Sequence, residues 1–96
     1  MDNLSEQIHG INTSDSPLYK TIKDKVNFIH GTVTSKTDWL KAIQDCDAIV
    51  HLAAETGTGQ SMYKINDYVS VNIGGTALML DILTNEKHKI KKVIIA

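Results

Sequence analysis

The chain has 96 residues, 42% hydrophobic and 22% charged, which is close to the average for folded domains. Ten basic against eleven acidic residues give a formal charge of −1, so composition excludes the basic surface that nucleic acids or anionic membranes attract. The longest apolar runs fall far short of the roughly 20 residues of a membrane span, and a lone Cys46 excludes an intrachain disulfide and a multi-cysteine zinc site. We therefore expect a soluble, cytoplasmic protein with no metal, nucleic-acid or membrane partner.

In the first half of the chain, local signals predict one strand and one helix. Residues 5–25 are polar and aperiodic, with a turn or helix start at Ser14–Pro17. Val26–His30 is typical of a short strand that Gly31 ends. Ser35–Asp38 resembles a capping box, and the apolar residues after it recur at helical spacing. This pattern predicts a helix that ends near Asp45, Cys46 and Asp47.

In the second half, two apolar runs and a long helical stripe follow one another. Ala48–Ala54 is a nearly continuous apolar run, which predicts a strand buried on both faces. After a turn at Glu55–Ser61, apolar residues at helical spacing predict a helix from about Asn66 to Glu86. Lys92–Ala96 is a further buried-strand pattern. The order strand, helix, strand, helix, strand predicts an α/β fold with a parallel sheet.

Both ends of the chain suggest that the sheet continues beyond it. Lys92–Ala96 reaches the C-terminus without a turn or cap, and Asp2-Asn3-Leu4 is typical of the exit of a strand. Three strands and two helices also make a thin core for an open sheet. We expect residues 1–96 to be the middle of a larger domain, with no second domain in this chain.

Ligands of open α/β sheets bind beyond the carboxyl ends of the strands. This rule selects Gly31-Thr32-Val33 and the Glu55–Ser61 turn, whose two glycines allow close approach of backbone amides to a ligand. The turn lacks the third glycine of a dinucleotide fingerprint, so a plain strand-to-helix connection explains it equally well.

Within the predicted second helix, Asn72 and Gly75 lie on the stripe that should face the sheet. A buried amide must be paired, and two adjacent glycines, Gly74 and Gly75, are costly in a helix unless packing requires them. The alternative for Asn72 is a local bond to its own backbone. His51 is expected to be a paired core histidine. The Tyr19–Lys23 stretch matches Tyr-x-x-x-Lys of dehydrogenases, which we interpret as a chance match.

Together these segments resemble the extended short-chain dehydrogenase/reductase family, and specifically its nucleotide-sugar epimerases and dehydratases. Asp47–Ala54 is similar to the family's fourth strand, Tyr68–Thr76 to its Tyr-x-x-x-Asn-x-x-Gly-Thr helix, and Lys92–Ala96 to its fifth strand. The Glu55–Met62 segment resembles the loop of enzymes that act on 6-deoxy nucleotide sugars, including deoxythymidine-diphosphate rhamnose 4-epimerases. The resemblance implies that residues 1–96 are part of a single, incomplete dinucleotide-binding (Rossmann-like) domain. It also implies NAD as cofactor, since Asp2 stands where the family's Asp binds the adenosine ribose.

The resemblance also implies a set of cofactor-binding residues: Asp2, Asn3, Thr32, Val33, Leu52, Ala53, Ala54, Thr56 and Asn72. One departure concerns Thr32, because the family has an Asp there that meets the adenine amino group. The glycine-rich phosphate loop and the catalytic Ser/Thr, Tyr and Lys have no counterparts in residues 1–96, so no catalytic residue is assigned.

The expected function is that of a fragment of an NAD-dependent nucleotide-sugar epimerase or dehydratase that supplies part of the NAD cradle. Its partner in the full-length family would be a nucleotide sugar. Two alternatives stay open. One is a non-catalytic, NAD- or nucleotide-sugar-binding regulatory relative, and the other is a gene remnant that self-associates as a homo-oligomer.

Overall fold

The computed structural model describes residues 1–96, which divide into two units, Met1–Thr32 and Val33–Ala96. Met1–Thr32 contains two short helices, α1 (Glu6–His9) and α2 (Pro17–Ile22), with a 3-10 turn at Thr13–Asp15 between them. The Ser16 hydroxyl accepts a hydrogen bond from the Tyr19 N–H at 3.4 Å, and Pro17 occupies the first turn. The helix start predicted at Ser14–Pro17 is therefore confirmed.

The strand predicted at Val26–His30 is wrong, because only His30 has a strand partner. Asp2 pairs with it in an isolated parallel bridge, in which the Asp2 N–H donates to Ile29 O and the Gly31 N–H to Asp2 O, both at 3.1 Å. Leu4 then turns away with a φ of 52°. A ladder needs successive paired residues on the neighbouring segment, and here that segment turns after one bridge.

Val33–Ala96 contains the sheet and the longer helices. Its elements are α3 (Lys36–Ile43), β1 (Ala48–His51), α4 (Thr58–Ser61), α5 (Ile65–Tyr68), a π-helical segment (Val69–Gly74), α6 (Gly75–Asn85) and β2 (Lys92–Ile95). We call the continuous stretch 65–85 the long helix. It agrees with the predicted range of 66 to 86 within one residue at each end.

Local sequence explains where α3 begins and ends. The Ser35 hydroxyl accepts from the Asp38 N–H at 3.3 Å, as the capping pattern predicted. The helix ends at Ile43, two residues before the predicted boundary, and Asp45 follows with a φ of 61°. Asp is one of the few residues that tolerates this left-handed conformation, so the chain can turn there toward β1.

The two strands confirm a parallel α/β arrangement of the Rossmann type. β1 pairs with β2 in a two-stranded parallel sheet, with Ala48 opposite Lys92 and His51 opposite Ile95. β1 ends at His51, so the prediction that it reaches Ala54 is wrong. Burial on both faces is also wrong, because Ile49 and His51 are buried whereas Ala48 and Val50 are exposed. In this chain only one face of the sheet is packed against side chains.

The hydrophobic core lies under that packed face. It consists of six buried side chains from the loop before α3, from α3, from β1 and from α6: Val33, Trp39, Ile43, Ile49, Met79 and Ile82. The predicted helical stripe is confirmed, since Val71, Leu78 and Leu83 pack against the same cluster. No helix is long and apolar enough to cross a membrane.

Gly75 is the point where the long helix comes closest to this core. A Cβ atom on Gly75 would lie 2.6 Å from Val33 Cγ2, a distance that real contacts essentially never show, and 3.0 Å from Val33 Cβ, which is tighter than most contacts. Gly74 is exposed, and a Cβ there would meet Val69 O at an ordinary contact distance of 3.8 Å. Close packing therefore explains Gly75, as expected, whereas it does not explain Gly74.

Candidate functional site

The candidate site is built on the segment that follows β1, residues 52–57, which we call the β1 loop. Leu52, Ala53 and Ala54 are exposed, Leu52 to 68% of its surface. They lie beyond the carboxyl end of a parallel strand, the position at which open α/β sheets bind ligands. Gly57 closes the loop with a φ of 107°, a conformation that favours glycine.

Asn72 holds this loop with both ends of its side-chain amide. Its Oδ1 accepts from the Glu55 N–H at 2.8 Å, and its Nδ2 donates to the Glu55 carbonyl at 3.1 Å. The partner is 17 residues away, so the alternative of a local backbone bond is wrong. The expectation that Asn72 is buried is also wrong, because its side chain is exposed in this chain. The amide nevertheless fixes the loop, because both of its hydrogen bonds go to the backbone of the same residue, Glu55.

Tyr68 holds the next two residues of the loop from one helical turn away. Its hydroxyl lies 2.6 Å from the Thr56 carbonyl and 2.8 Å from the Gly57 carbonyl, and donates its single proton between them. Desolvation, followed by the nearby charges of Glu55 and Tyr63, raises the pKa of Tyr68 above its ordinary value of 10.0. Tyr68 therefore stays protonated, and a hydrogen-bond donor, to higher pH than a free tyrosine.

The π-helical segment Val69–Gly74 contains Asn72, follows Tyr68 and precedes Gly75. The Gly75 N–H, at its end, points to both the Ser70 and the Val71 carbonyls. A π-segment takes up more residues per turn, so it changes which face of the helix each later residue occupies. Asn72 thereby faces the β1 loop while Gly75 faces Val33. Such segments often occur at functional sites.

His51 is a paired core histidine, as expected. It is 5% exposed, its Nε2 lies 3.1 Å from Thr76 Oγ1, and its ring meets Trp39 edge-on with centroids 5.7 Å apart. Thr76 was not among the predicted site residues. The sequence did carry a signal for it, because Thr76 lies one helical turn after Asn72 and shares its face.

Within Met1–Thr32, two further predicted residues form local turns. Asp2 Oδ1 accepts from the Leu4 N–H at 2.7 Å and lies 3.6 Å from His9 Nε2, and the Asp2 side chain is half exposed. Asn3 Oδ1 accepts from the Ser5 N–H at 3.2 Å. Asp and Asn commonly fold the backbone in this way. Asp2 therefore combines a fixed backbone with a partly exposed carboxylate.

The remaining predicted residues differ in how much surface they offer. Thr56 is exposed on the β1 loop, and Thr32 is partly exposed. Val33 is 7% exposed, and its carbonyl accepts from Trp39 Nε1 at 2.8 Å. Its side chain thus serves the core.

The Tyr19–Lys23 match does not lead to a second site. Tyr19 lies on the short helix α2, and Lys23 is the residue that follows it. The Tyr19 ring packs edge-on against Phe28 with centroids 5.1 Å apart. The contact with Phe28 is sufficient to explain Tyr19 as a residue that packs, without a catalytic role. No group of His, Cys, Asp and Glu residues is arranged to hold a metal ion.

Comparison with known proteins identifies the family. The profile of the NAD dependent epimerase/dehydratase family matches residues 1–96. The chain belongs to this family. It is 31% identical over 97 aligned positions to the dTDP-L-rhamnose 4-epimerase of Burkholderia thailandensis, an alignment that covers 99% of this chain and 26% of that protein. The chain thus spans about a quarter of the length of that relative. No solved structure matches it.

Proposed function

We propose that this chain supplies part of the NAD-binding site of an NAD-dependent nucleotide-sugar epimerase or dehydratase. The observation that carries the proposal is the pair of hydrogen bonds from Asn72 to Glu55, at 2.8 and 3.1 Å. They fix the backbone of a loop at the ligand-binding end of the sheet, which is what a cofactor contact requires. Family membership supports NAD as the ligand.

The residues of the β1 loop fit such a cofactor. Leu52–Ala54 is exposed and carries only apolar side chains, two of them the methyl groups of alanines, so a flat ring and a ribose could approach it closely. Apolar surface with a few fixed polar groups is the usual composition of a cofactor site. Bound NAD would accept and return hydride. Leu52, Ala53, Ala54 and Thr56 are the residues we propose as contacts, with Asn72 holding the loop.

In Met1–Thr32, the proposal rests on the family resemblance together with Asp2. Its half-exposed carboxylate is suited to accept hydrogen bonds from ribose hydroxyls, which favours NAD over NADP. Asn3, Thr32 and Val33 are proposed as contacts on the family resemblance alone. For Val33 only backbone groups would be available, because its side chain is buried. We also propose that residues 1–96 form part of one dinucleotide-binding domain.

Catalysis is not proposed for residues 1–96 alone. They contain no Gly-x-Gly-x-x-Gly phosphate loop, and no side chain is assigned as the acid, base or nucleophile of the reaction. The pyrophosphate would therefore lack its usual partner, so we expect NAD to bind weakly.

By the same family argument, the substrate of the whole enzyme would be a nucleotide sugar, and the relative indicates one with a 6-deoxyhexose. The lone, partly buried Cys46 fits a reducing compartment, and we propose the cytoplasm.

Titration calorimetry with NAD and NADP tests this proposal. We expect saturable binding of NAD, weaker than micromolar and tighter than that of NADP. Asn72→Ala should weaken it by about fivefold or more, because the loop loses two hydrogen bonds. The matched control is Asn85→Ala, since Asn85 on the same helix bonds only within its own turn, to Asp81. Absence of NAD binding by the folded chain would contradict the proposal, and micromolar or tighter binding would contradict the role given to the phosphate loop.

A regulatory, non-catalytic relative is the second candidate, and Thr32 favours it because the family's adenine-binding Asp is missing there. Flanking coding sequence distinguishes the two. A glycine-rich loop upstream, with no Tyr-x-x-x-Lys motif on a downstream helix, would favour the regulatory, non-catalytic relative over the enzyme.

Self-association is the third candidate, and the uncovered sheet face favours it. Val50 on β1 and its register partner Ile94 on β2 are 59% and 49% exposed. Apolar side chains placed side by side in this way favour association. Sedimentation that depends on protein concentration would support a homo-oligomer, and a monomer at all concentrations would exclude it.

A further inference from the structure

One hydroxyl group joins the end of β1 to the long helix. Thr76 Oγ1 lies 3.1 Å from the Asn72 carbonyl and 3.1 Å from His51 Nε2. A carbonyl oxygen can only accept, so the single hydroxyl proton goes to Asn72. Toward His51 the hydroxyl is then the acceptor, and the imidazole must donate. This arrangement assigns the proton of neutral His51 to Nε2.

The segment between His51 and Glu55 is therefore tied to the long helix at both ends. Thr76 holds its beginning through His51, and Asn72 holds its end through Glu55. Asn72 and Thr76 are one helical turn apart, and the Thr76 hydroxyl is bonded to the Asn72 carbonyl, so the two ties share one turn of helix. Leu52–Ala54, the residues in between, have no polar side chain with which to fix their own position.

We propose that Thr76 and His51 are positioning residues that set the backbone of Leu52–Ala54. We assign neither side chain a contact with the cofactor, and each acts through an end of the segment. The cofactor part of this inference rests on the proposed function. The mechanical part, which is that the Thr76–His51 bond orders the β1 loop, does not depend on any ligand.

The chain offers a matched control for Thr76. Thr84 lies on the same helix, and its hydroxyl donates to the Leu80 carbonyl at 2.8 Å, the same bond to the preceding turn that Thr76 makes to Asn72. Thr84 is exposed and is not bonded to the sheet. Replacement of each threonine by valine thus removes the same local bond, but only Thr76→Val breaks the tie to β1.

Amide hydrogen exchange and NAD titration of Thr76→Val, Thr76→Ser and Thr84→Val test the proposal. In Thr76→Val we expect the Glu55 N–H and the Asn72 side-chain amide to exchange faster by about fivefold or more, and NAD to bind correspondingly more weakly. Thr76→Ser keeps the hydroxyl and should restore both, and Thr84→Val should leave both as in the unaltered chain. Unchanged protection of Glu55 in folded Thr76→Val would overturn the proposal.

A second measurement uses the unaltered chain, so it does not depend on the folding of a variant. Nitrogen-15 shifts of the His51 ring should show a proton on Nε2, whereas protonation on Nδ1 alone would refute the assigned bond. The outcomes also separate the two proposals. If the unaltered chain does not bind NAD, the proposed function fails, and the exchange rates still decide whether Thr76 and His51 order the loop.

Discussion

The two units of the chain are stabilised by different means. Val33–Ala96 contains all six buried hydrophobic side chains, whereas the one residue buried in Met1–Thr32 is the polar Ser16, 3% exposed. Apolar residues of Met1–Thr32 lie at the surface, Ile11 with 90% and Leu18 with 59% of their surface exposed. Hydrogen bonds of caps and turns shape the first unit, and burial of apolar surface stabilises the second.

This difference matters for function because the β1 loop belongs to the unit with the core. Its anchors, Asn72, Tyr68 and Thr76, lie on the long helix, which is fixed through Met79 and Ile82 at 1% and 2% exposure. Burying such side chains contributes about 1.5–3 kcal/mol each. Asp2, in the other unit, is placed by one strand bridge and a turn. We therefore expect the β1 loop to be ordered before any ligand binds.

The largest expected effect comes from truncating the core. Met79→Ala should lower the free energy of unfolding by about 2–5 kcal/mol, because it leaves a cavity in the fully packed cluster. Ile11→Ala, a comparable truncation in the other unit, should change it by less than about 0.5 kcal/mol because Ile11 is exposed. Urea denaturation measures both. Equal effects of the two substitutions would break the distinction between the units.

The adjacent glycines give the next largest effect, with opposite signs. Gly75→Ala should destabilise the chain by about 1–3 kcal/mol, because the added methyl would overlap the buried Val33 side chain. Gly74→Ala should stabilise it by about 0.5–1 kcal/mol, because Gly74 is helical and an added methyl there would meet only an ordinary contact. Thermal denaturation of the two variants provides the comparison. Stabilisation by both would show that the close approach at Gly75 is absent.

Two serine caps test whether the units open separately. Ser16→Ala and Ser35→Ala each remove an N-cap worth about 1 kcal/mol. The Ser35 substitution should lower the stability of the whole core. Ser16 also bonds His9 Nδ1 at 2.8 Å, so its loss should speed hydrogen exchange in α1 and α2 alone. Exchange that rises across both units in Ser16→Ala would indicate one cooperative structure.

The smallest effect concerns the exposed ion pair of Lys36 and Glu86, which joins the start of α3 to the end of the long helix. The hydrogen bond to Glu86, and then its charge, raise the pKa of Lys36 above 10.5. Because the pKa of Lys36 is raised in the folded state, the ion pair contributes to the stability of the fold. This contribution is fully present below the unfolded-state pKa and is lost as the pH rises through the folded-state pKa. Denaturation midpoints measured from pH 9 into strong alkali should therefore fall less steeply in Lys36→Met than in the control Lys41→Met. Identical profiles would mean that the pair contributes nothing.

The sequence predicted most of the elements whose signals are local. Ser16, Ser35 and the spacing of Val71, Leu78, Met79 and Ile82 located helix starts and the long helix, because caps and apolar periodicity act within a few residues. The apolar run Lys92–Ala96 predicted a buried strand, and Lys92–Ile95 forms that strand, although it is largely exposed. The mistaken strand at Val26–His30 shows the limit. Strand formation depends on a neighbouring segment, and Asp2 alone provides one.

The site was predicted less completely than the fold. Asn72 was identified from its amide and its helical position, but its partner, the backbone of Glu55, could not be, because any backbone unit can pair with an amide. Thr76 was missed, because a threonine in a helix is usually explained by its local bond. The π-segment was missed as well. One extra residue in a helix hardly changes the spacing of its apolar residues, so the sequence pattern does not distinguish a π-segment from a regular α-helix.

Residue-resolved NMR titration with NAD tests the central claim, that the β1 loop of the core-containing unit is a preordered cofactor contact. We expect the backbone amides of residues 52–57 to shift in a saturable manner, and we expect Asn72→Ala to weaken this response while Asn85→Ala does not. Shifts that saturate elsewhere in the chain while residues 52–57 stay unchanged would contradict it.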